Sequence, residues 1–135
     1  MGFLGRFEEP FYALFRLLTG LFFATHGAQK VFGVMGGQKM TAPLMVVGGW
    51  LELILGLLIA IGLFTSIAAF IASGEMAVAY FMVHAPGGFW PVVNKGELAV
   101  VYCFAFLYMA AHGGGIWSLD AMRSGGTTAN PRPVR

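Results

Sequence analysis

The chain has 135 residues, 58% of them hydrophobic and only 10% charged, with a formal net charge of +2. Soluble domains carry about 25% charged residues, and a domain this small cannot hide so much apolar surface in one core. A water-soluble globule is therefore excluded, and lipid is expected to be the solvent for much of the exterior. The scattered basic residues form no stripe of the kind that binds nucleic acid. The single cysteine, Cys103, leaves no disulfide framework, no C-x-x-C redox pair and no thiolate metal centre.

Glu8, Glu9 and Pro10 precede the first apolar run and Arg16 interrupts it, so the N-terminus reads as a retained anchor and not as a cleaved signal. A spanning helix needs about 20 mostly apolar residues. Four stretches qualify, at about 10–31, 43–64, 67–84 and 96–112. The first opens on Pro10, and the Gly-rich segment Phe32 to Ala42 is a loop. The second and third are joined so closely that they must form an antiparallel hairpin, with Thr65 and Ser66 placed to cap the third. Ala85 to Pro91 holds paired prolines and glycines and is expected to be a non-helical interfacial turn, its Phe89 and Trp90 suited to a membrane belt. The fourth run ends at Gly113-Gly114-Gly115. Beyond Ser118 the chain turns polar, and 121–135 reads as a disordered tail after a single domain over 1–120.

The runs are continuous and do not alternate at period two, so helices win over barrel strands. The expected fold is all-α, an integral membrane antiparallel four-helix bundle with its termini together. Arg6, Arg123, Arg132 and Arg135 lie on the terminal side and Lys30, Lys39 and Lys95 on the other. That bias places both termini in the cytoplasm.

Ionisable groups inside such a bundle cost roughly 2.5–3.5 kcal/mol each and usually turn inward. Helical phase agrees. Arg16, Thr19, Phe23, His26 and Lys30 share one seam of the first helix. Glu52 lies on a stripe with Gly48, Gly56 and Ala60, and Glu75 on one with Ala68, Ala72 and Ala79. Small residues beside a carboxylate allow close helix approach. Arg16, His26, Glu52 and Glu75 are thus candidates for a buried polar seam. Arg16 is expected to pair with Glu75 or Glu52, and the other carboxyl to be protonated or shared with His26. The same groups could serve only as register pins. At the far interface Lys30, His84, Asn94, Lys95 and Glu97 gather near Phe89 and Trp90. Three residues beyond Glu52, Glu75 and Glu97 stand Leu55, Val78 and Val100, so the Glu-x-x-His pairs of di-iron bundles are missing and no metal site is expected.

Several stretches resemble the DoxX family: His26-Gly27-Ala28-Gln29-Lys30-Val31-Phe32-Gly33, Gly49-Trp50-Leu51-Glu52 followed by Gly56, and Ala60 to Thr65. More specific is Met76 to Pro86 with its His84-Ala85-Pro86, then Gly88-Phe89-Trp90-Pro91, Asn94 and Gly96-Glu97-Leu98-Ala99; Gly115 to Asp120 closes the series. The resemblance covers about residues 12 to 120. It implies a small four-helix protein of the prokaryotic inner (plasma) membrane, related to the membrane subunit of thiosulfate:quinone oxidoreductase. By analogy the chain is a quinone- or redox-linked subunit acting with partner oxidoreductases or other membrane subunits, with a homo-oligomer as a further expectation. A quinone would need an apolar slot with polar groups at its carbonyls, and Lys30, His84, Asn94, Glu97 and Trp90 are the candidates for it. The alternative is a non-enzymatic membrane scaffold or accessory subunit. A proton path or carrier through Glu52 and Glu75 is a third reading.

Overall fold

The computed structural model describes residues 2–124; the expected tail from 125 onward, with Arg132 and Arg135, lies outside the described residues. Among those residues every regular element is helical. Helix α1 spans Gly2–Gly5, α2 Glu8–Phe32, α3 Pro43–Ile61 and α4 Thr65–Ala79. A π-helical turn, Tyr80–His84, and a 3-10 turn, Ala85–Gly87, carry α4 onward. Helix α5 spans Pro91–Asn94, α6 Glu97–His112 and α7 Leu119–Arg123.

Punctuation of the chain explains most boundaries. Gly33 and Gly62 close α2 and α3 in left-handed conformations, where a side chain would be strained. Pro43 opens α3, a position where its missing N–H is no loss. Helix α2 begins two residues before Pro10, at Glu8. The turn after His84 is less irregular than its sequence suggests, since Ala85–Gly87 still close a 3-10 turn before Gly88 breaks the path.

The helices pair antiparallel. Gly20 of α2 lies against Gly56 and Ala60 of α3, while Gly27 meets Gly49 and Leu53. A Cβ on Gly56 would stand 2.5 Å from the Ala24 nitrogen and 2.6 Å from the Gly20 carbonyl oxygen. The two backbones therefore touch, as close helix pairs built on small residues do. The α3 stripe is rotated slightly from expectation. Gly49, Glu52, Gly56 and Ala60 are buried against α2, and Gly48 turns toward α4. Helices α4 and α6 form the second pair, joined at Ser73, whose hydroxyl donates to the Cys103 carbonyl oxygen at 2.7 Å. Phe23 packs at a tilt against Tyr102 and Phe106 and brings the pairs together.

The end that holds the termini is tied by α7. Asp120 accepts hydrogen bonds from the amides of Phe64 and Thr65 and so caps α4. The expected caps, Thr65 and Ser66, do not serve, because the helix already starts at Thr65 and the amides of Phe64 and Thr65 are taken by Asp120. Tyr12 donates to the Gly113 carbonyl oxygen and stacks on His112, which pairs with Glu9 at 3.3 Å.

The exterior is apolar. Ile67, Phe70, Phe81 and Phe104 are each at least 65% exposed, and leucines and phenylalanines line the outside of α2 in the same way. Water-soluble monomers rarely present such continuous apolar surface. Two helical stretches, Pro43–Ile61 with 19 residues and Thr65–Gly87 with 23, are long and apolar enough to cross a membrane. Helix α6 is shorter, and α2 carries Glu8, Glu9, Arg16 and Lys30.

Candidate functional site

Phase along α2 places Phe23, His26 and Lys30 on one face, and that face opens on a cavity of about 310 Å³. Met45 and Glu52 of α3 form one wall. Met76, Ala79 and Val83 come from α4 and its π-turn, and Leu98, Ala99 and Tyr102 from α6. His84 and Lys95 sit at the mouth end, where the chain turns between α4 and α6. The cavity is mainly apolar with polar groups at chosen points, the usual make-up of a small-molecule site.

The strongest polar contact is an ion pair. Lys30 Nζ lies 2.5 Å from Glu52 Oε1, and the Glu52 side chain is 3% exposed while Lys30 is about a quarter exposed. Glu52 Oε2 has no hydrogen-bond partner among the described residues. Neither has Glu75 Oε2. Glu75 reaches toward α3 at Gly48, where an added Cβ would lie 3.5 Å from Glu75 Oε1. Gly48 sits between Met45 and Glu52 on the same helix face, so the second carboxyl borders the cavity wall. It feels the charges of both Glu52 and Lys30.

The loop beyond α4 is organised by Asn94. Its amide nitrogen donates to the Tyr80 hydroxyl at 3.1 Å and to the Gly88 carbonyl oxygen at 2.9 Å, while its side-chain oxygen accepts from the Gly96 amide at 2.8 Å. The Asn94 carbonyl oxygen lies 3.2 Å from His84 Nδ1. Every polar group of the Asn94 side chain is thereby used, so it positions His84 instead of facing the cavity. The π-turn that ends on His84 sets this ring differently from a regular helix, and such turns concentrate at functional sites.

The residues singled out from the sequence fall into three groups. His26, Lys30, Glu52 and His84 share the cavity, and Glu75 abuts its wall. Glu97 is exposed at the start of α6 and Trp90 is 65% exposed, edge-to-face with Phe89, so neither lines the cavity. Arg16 is elsewhere. It lies ten residues before His26, about 15 Å along the helix, and pairs with neither carboxylate. Its Nε donates to the Ile59 carbonyl oxygen at 3.1 Å, and its Nη atoms to those of Gly114, Ile116 and Trp117. The expectation of an Arg16–Glu pair fails because Lys30 is the nearer cation for Glu52, while the end of α3 and the loop after α6 crowd carbonyls around Arg16. Tyr102 is the cavity residue that sequence reasoning passed over. Its signal was a buried-phase tyrosine one turn before Phe106, on a helix where almost every residue is apolar.

Comparison with known proteins decides the family. The DoxX family model matches residues 11–85, from α2 through the turn that carries His84. The chain belongs to the DoxX family. DoxX proteins are membrane-associated, consistent with the apolar exterior and the two helices long enough to cross a bilayer. A protein of Haemophilus influenzae described as uncharacterized is 38% identical over 125 residues, covering 87% of this chain and 93% of its own length. No solved structure matches. The segment matched to DoxX contains Arg16, His26, Lys30, Glu52, Glu75 and His84, whereas Trp90, Asn94 and Glu97 lie beyond it.

Proposed function

We propose that this DoxX protein is an antiparallel four-helix bundle spanning the prokaryotic inner membrane, with both termini cytoplasmic, that binds a quinone in the cavity between its helix pairs. It acts as a redox-linked subunit beside a partner oxidoreductase. The observation that supports this reading is the cavity itself, about 310 Å³ with a partly buried Lys30–Glu52 pair in its wall. Its size is near the lower end of small-molecule pockets, roughly 300–1,000 Å³, and suits a single ring with its tail lying in lipid. Phe23, Met45, Met76 and Tyr102 supply apolar walls for a ring. Lys30, Lys95 and His26 supply donors for carbonyl oxygens. A quinone bound there would accept electrons and protons; the electrons would come from the partner.

The test is gentle-detergent purification from native membranes, with mass spectrometry of extracted small molecules and co-purifying proteins. Near-stoichiometric quinone with an oxidoreductase alongside is the expected result. A large assembly without quinone would overturn this reading and favour a scaffold. A specific feature favours that second reading. Phe89, Trp90 and Val92 are 65% or more exposed on the turn before α6, an apolar rim on which a membrane partner could sit.

A further inference from the structure

The terminal end of the bundle carries a second hollow, which shares no residue with the cavity already described. It is a wide, shallow groove of about 510 Å³, lined by Leu63 and Phe64 of the α3–α4 turn and by Leu119, Met122 and Arg123 of α7. Its two sides are tied together. The Asp120 amide donates to the Gly62 carbonyl oxygen at 2.9 Å, and the Asp120 carboxylate accepts from the Phe64 and Thr65 amides. The lining is apolar except at one point, with Phe64 50% and Met122 74% exposed. That point is Arg123. Its guanidinium lies over the Phe64 ring, 4.7 Å from the centroid. Stacking of this kind engages the face of the guanidinium and leaves its in-plane N–H groups free. The ion pairs among the described residues join Lys30 to Glu52 and His112 to Glu9, and neither takes Arg123. Asp120, on the same helix, spends both carboxylate oxygens on the start of α4.

Position in the fold supplies the class of ligand. Pro43–Ile61 and Thr65–Gly87 are each long and apolar enough to cross a bilayer, so the turn between them lies at a membrane boundary. Trp117, 69% exposed just before α7, is of the residue type that gathers at that depth. An apolar groove with one cation at its edge matches an amphiphile with an apolar chain and a negative head. Guanidinium forks bind phosphate through two parallel hydrogen bonds, and anionic lipid attracts basic side chains at the membrane surface. We propose that this groove holds one anionic phospholipid, with its phosphate on Arg123 and an acyl chain along Leu63, Phe64, Leu119 and Met122. The assignment rests on α3 and α4 crossing the bilayer, as in the reading above, and is independent of quinone binding.

The experiment uses the full chain purified in detergent, stripped of lipid, and titrated with dioleoyl-phosphatidylglycerol or dioleoyl-phosphatidylcholine under native mass spectrometry, which reads the Kd of the first lipid bound. The expected result is a Kd for the anionic lipid at least about fivefold below that for the zwitterionic one, the effect of one basic residue at a charged membrane surface. Arg123→Gln should bring the ratio toward one, and Met122→Ser should weaken both lipids alike. Arg6→Gln removes the same charge from the same end but outside the groove, and should leave the ratio unchanged. Equal affinities in the wild type, or a fivefold ratio kept by folded Arg123→Gln, would overturn the proposal. So would an equal loss in Arg6→Gln, or displacement of the lipid by excess inorganic phosphate, which would mark a simple anion site. Should Arg123→Gln fail to fold, as a thermal melt would reveal, the wild-type ratio and Met122→Ser decide. A chain that does not float with vesicles of either lipid would overturn the bilayer-crossing reading on which the site rests.

Discussion

Asp120 closes the first turn of α4 from 55 residues downstream, its two carboxylate oxygens accepting from the Phe64 amide at 2.8 Å and the Thr65 amide at 2.9 Å. It satisfies two of the donors that every helix leaves open at its start, and its negative charge sits at the positive end of the helix dipole. It also fastens the end of the described chain to the α3–α4 turn. Asp120→Ala should therefore cost about 0.5–2 kcal/mol, the range for a lost N-cap, measured as a lower melting temperature in detergent.

The same contact has a pH signature. Burial alone would raise the Asp120 carboxyl, but the amide donors from Thr65 and Phe64 and the nearby Arg123 charge outweigh it and hold it below its ordinary range. A group depressed on folding contributes stability that is fully present above its unfolded value, about 3.9, and is lost as pH falls through its folded value. The melting difference between wild type and Asp120→Ala should be constant near neutrality and shrink only in strong acid. A difference that vanished already at pH 6 would contradict the cap.

Arg16 gathers four backbone carbonyls, from Ile59, Gly114, Ile116 and Trp117. Hydrogen bonds from a charged donor contribute about 1.5–3 kcal/mol each, and buried acceptors left unmet are costly. Arg16→Met should destabilise by at least about 3 kcal/mol, and Arg16→Lys should recover only part because it loses the planar fork. Cavity binding should be unaffected in whatever fraction folds. Calorimetric titration alongside chemical denaturation separates the two effects.

Lys30 and Glu52 should behave as a unit. Removing one partner of a buried pair strands the other charge, at about 3–5 kcal/mol, whereas replacing both is often near neutral. Lys30→Met alone should be far less stable than the double variant Lys30→Met/Glu52→Gln. A double-mutant cycle on melting temperature checks it, and simple additivity would mean that the ion pair contributes nothing.

The helix contacts make opposite predictions for two glycines. Gly56→Ala places a methyl group within about 2.5 Å of the α2 backbone and should cost about 1–3 kcal/mol through forced separation. Gly74 faces open space on α4, with nothing within 4 Å of an added Cβ. Gly74→Ala should stabilise by up to about 1 kcal/mol from helix propensity alone. Thermal melts of the two variants are sufficient.

Much of this helix layout was legible in the sequence because the apolar runs are bounded by Gly33, Pro43, Gly88 and Gly113, residues that stop or start helices for reasons local to themselves, whereas the stop at Gly62 was hidden inside an apolar run that continues to Phe64. The seam of Phe23, His26 and Lys30 was legible too, since phase on a helix is arithmetic. Periodicity tells which face a residue occupies but not which neighbour it meets. Hence Arg16 was matched to a carboxylate, while its real partners are carbonyls, which no residue type advertises. Asp120 as a distant cap and Tyr102 in the cavity wall were hidden for the same reason. Asn94 was placed near the right atoms but in the wrong role: its side chain is consumed in holding the turn that presents His84.

The backbone contact between α2 and α3 also constrains how the molecule can move. Where Gly20 and Gly56 abut, no side chains remain between the helices to change rotamer, so those two helices must travel as one plate. The opposite wall of the cavity is built differently: it ends in a π-turn, and its mouth is a segment knitted together through one asparagine. Were a molecule to enter the cavity, room would be expected to open on the α4–α6 side and not where α2 and α3 touch backbone to backbone.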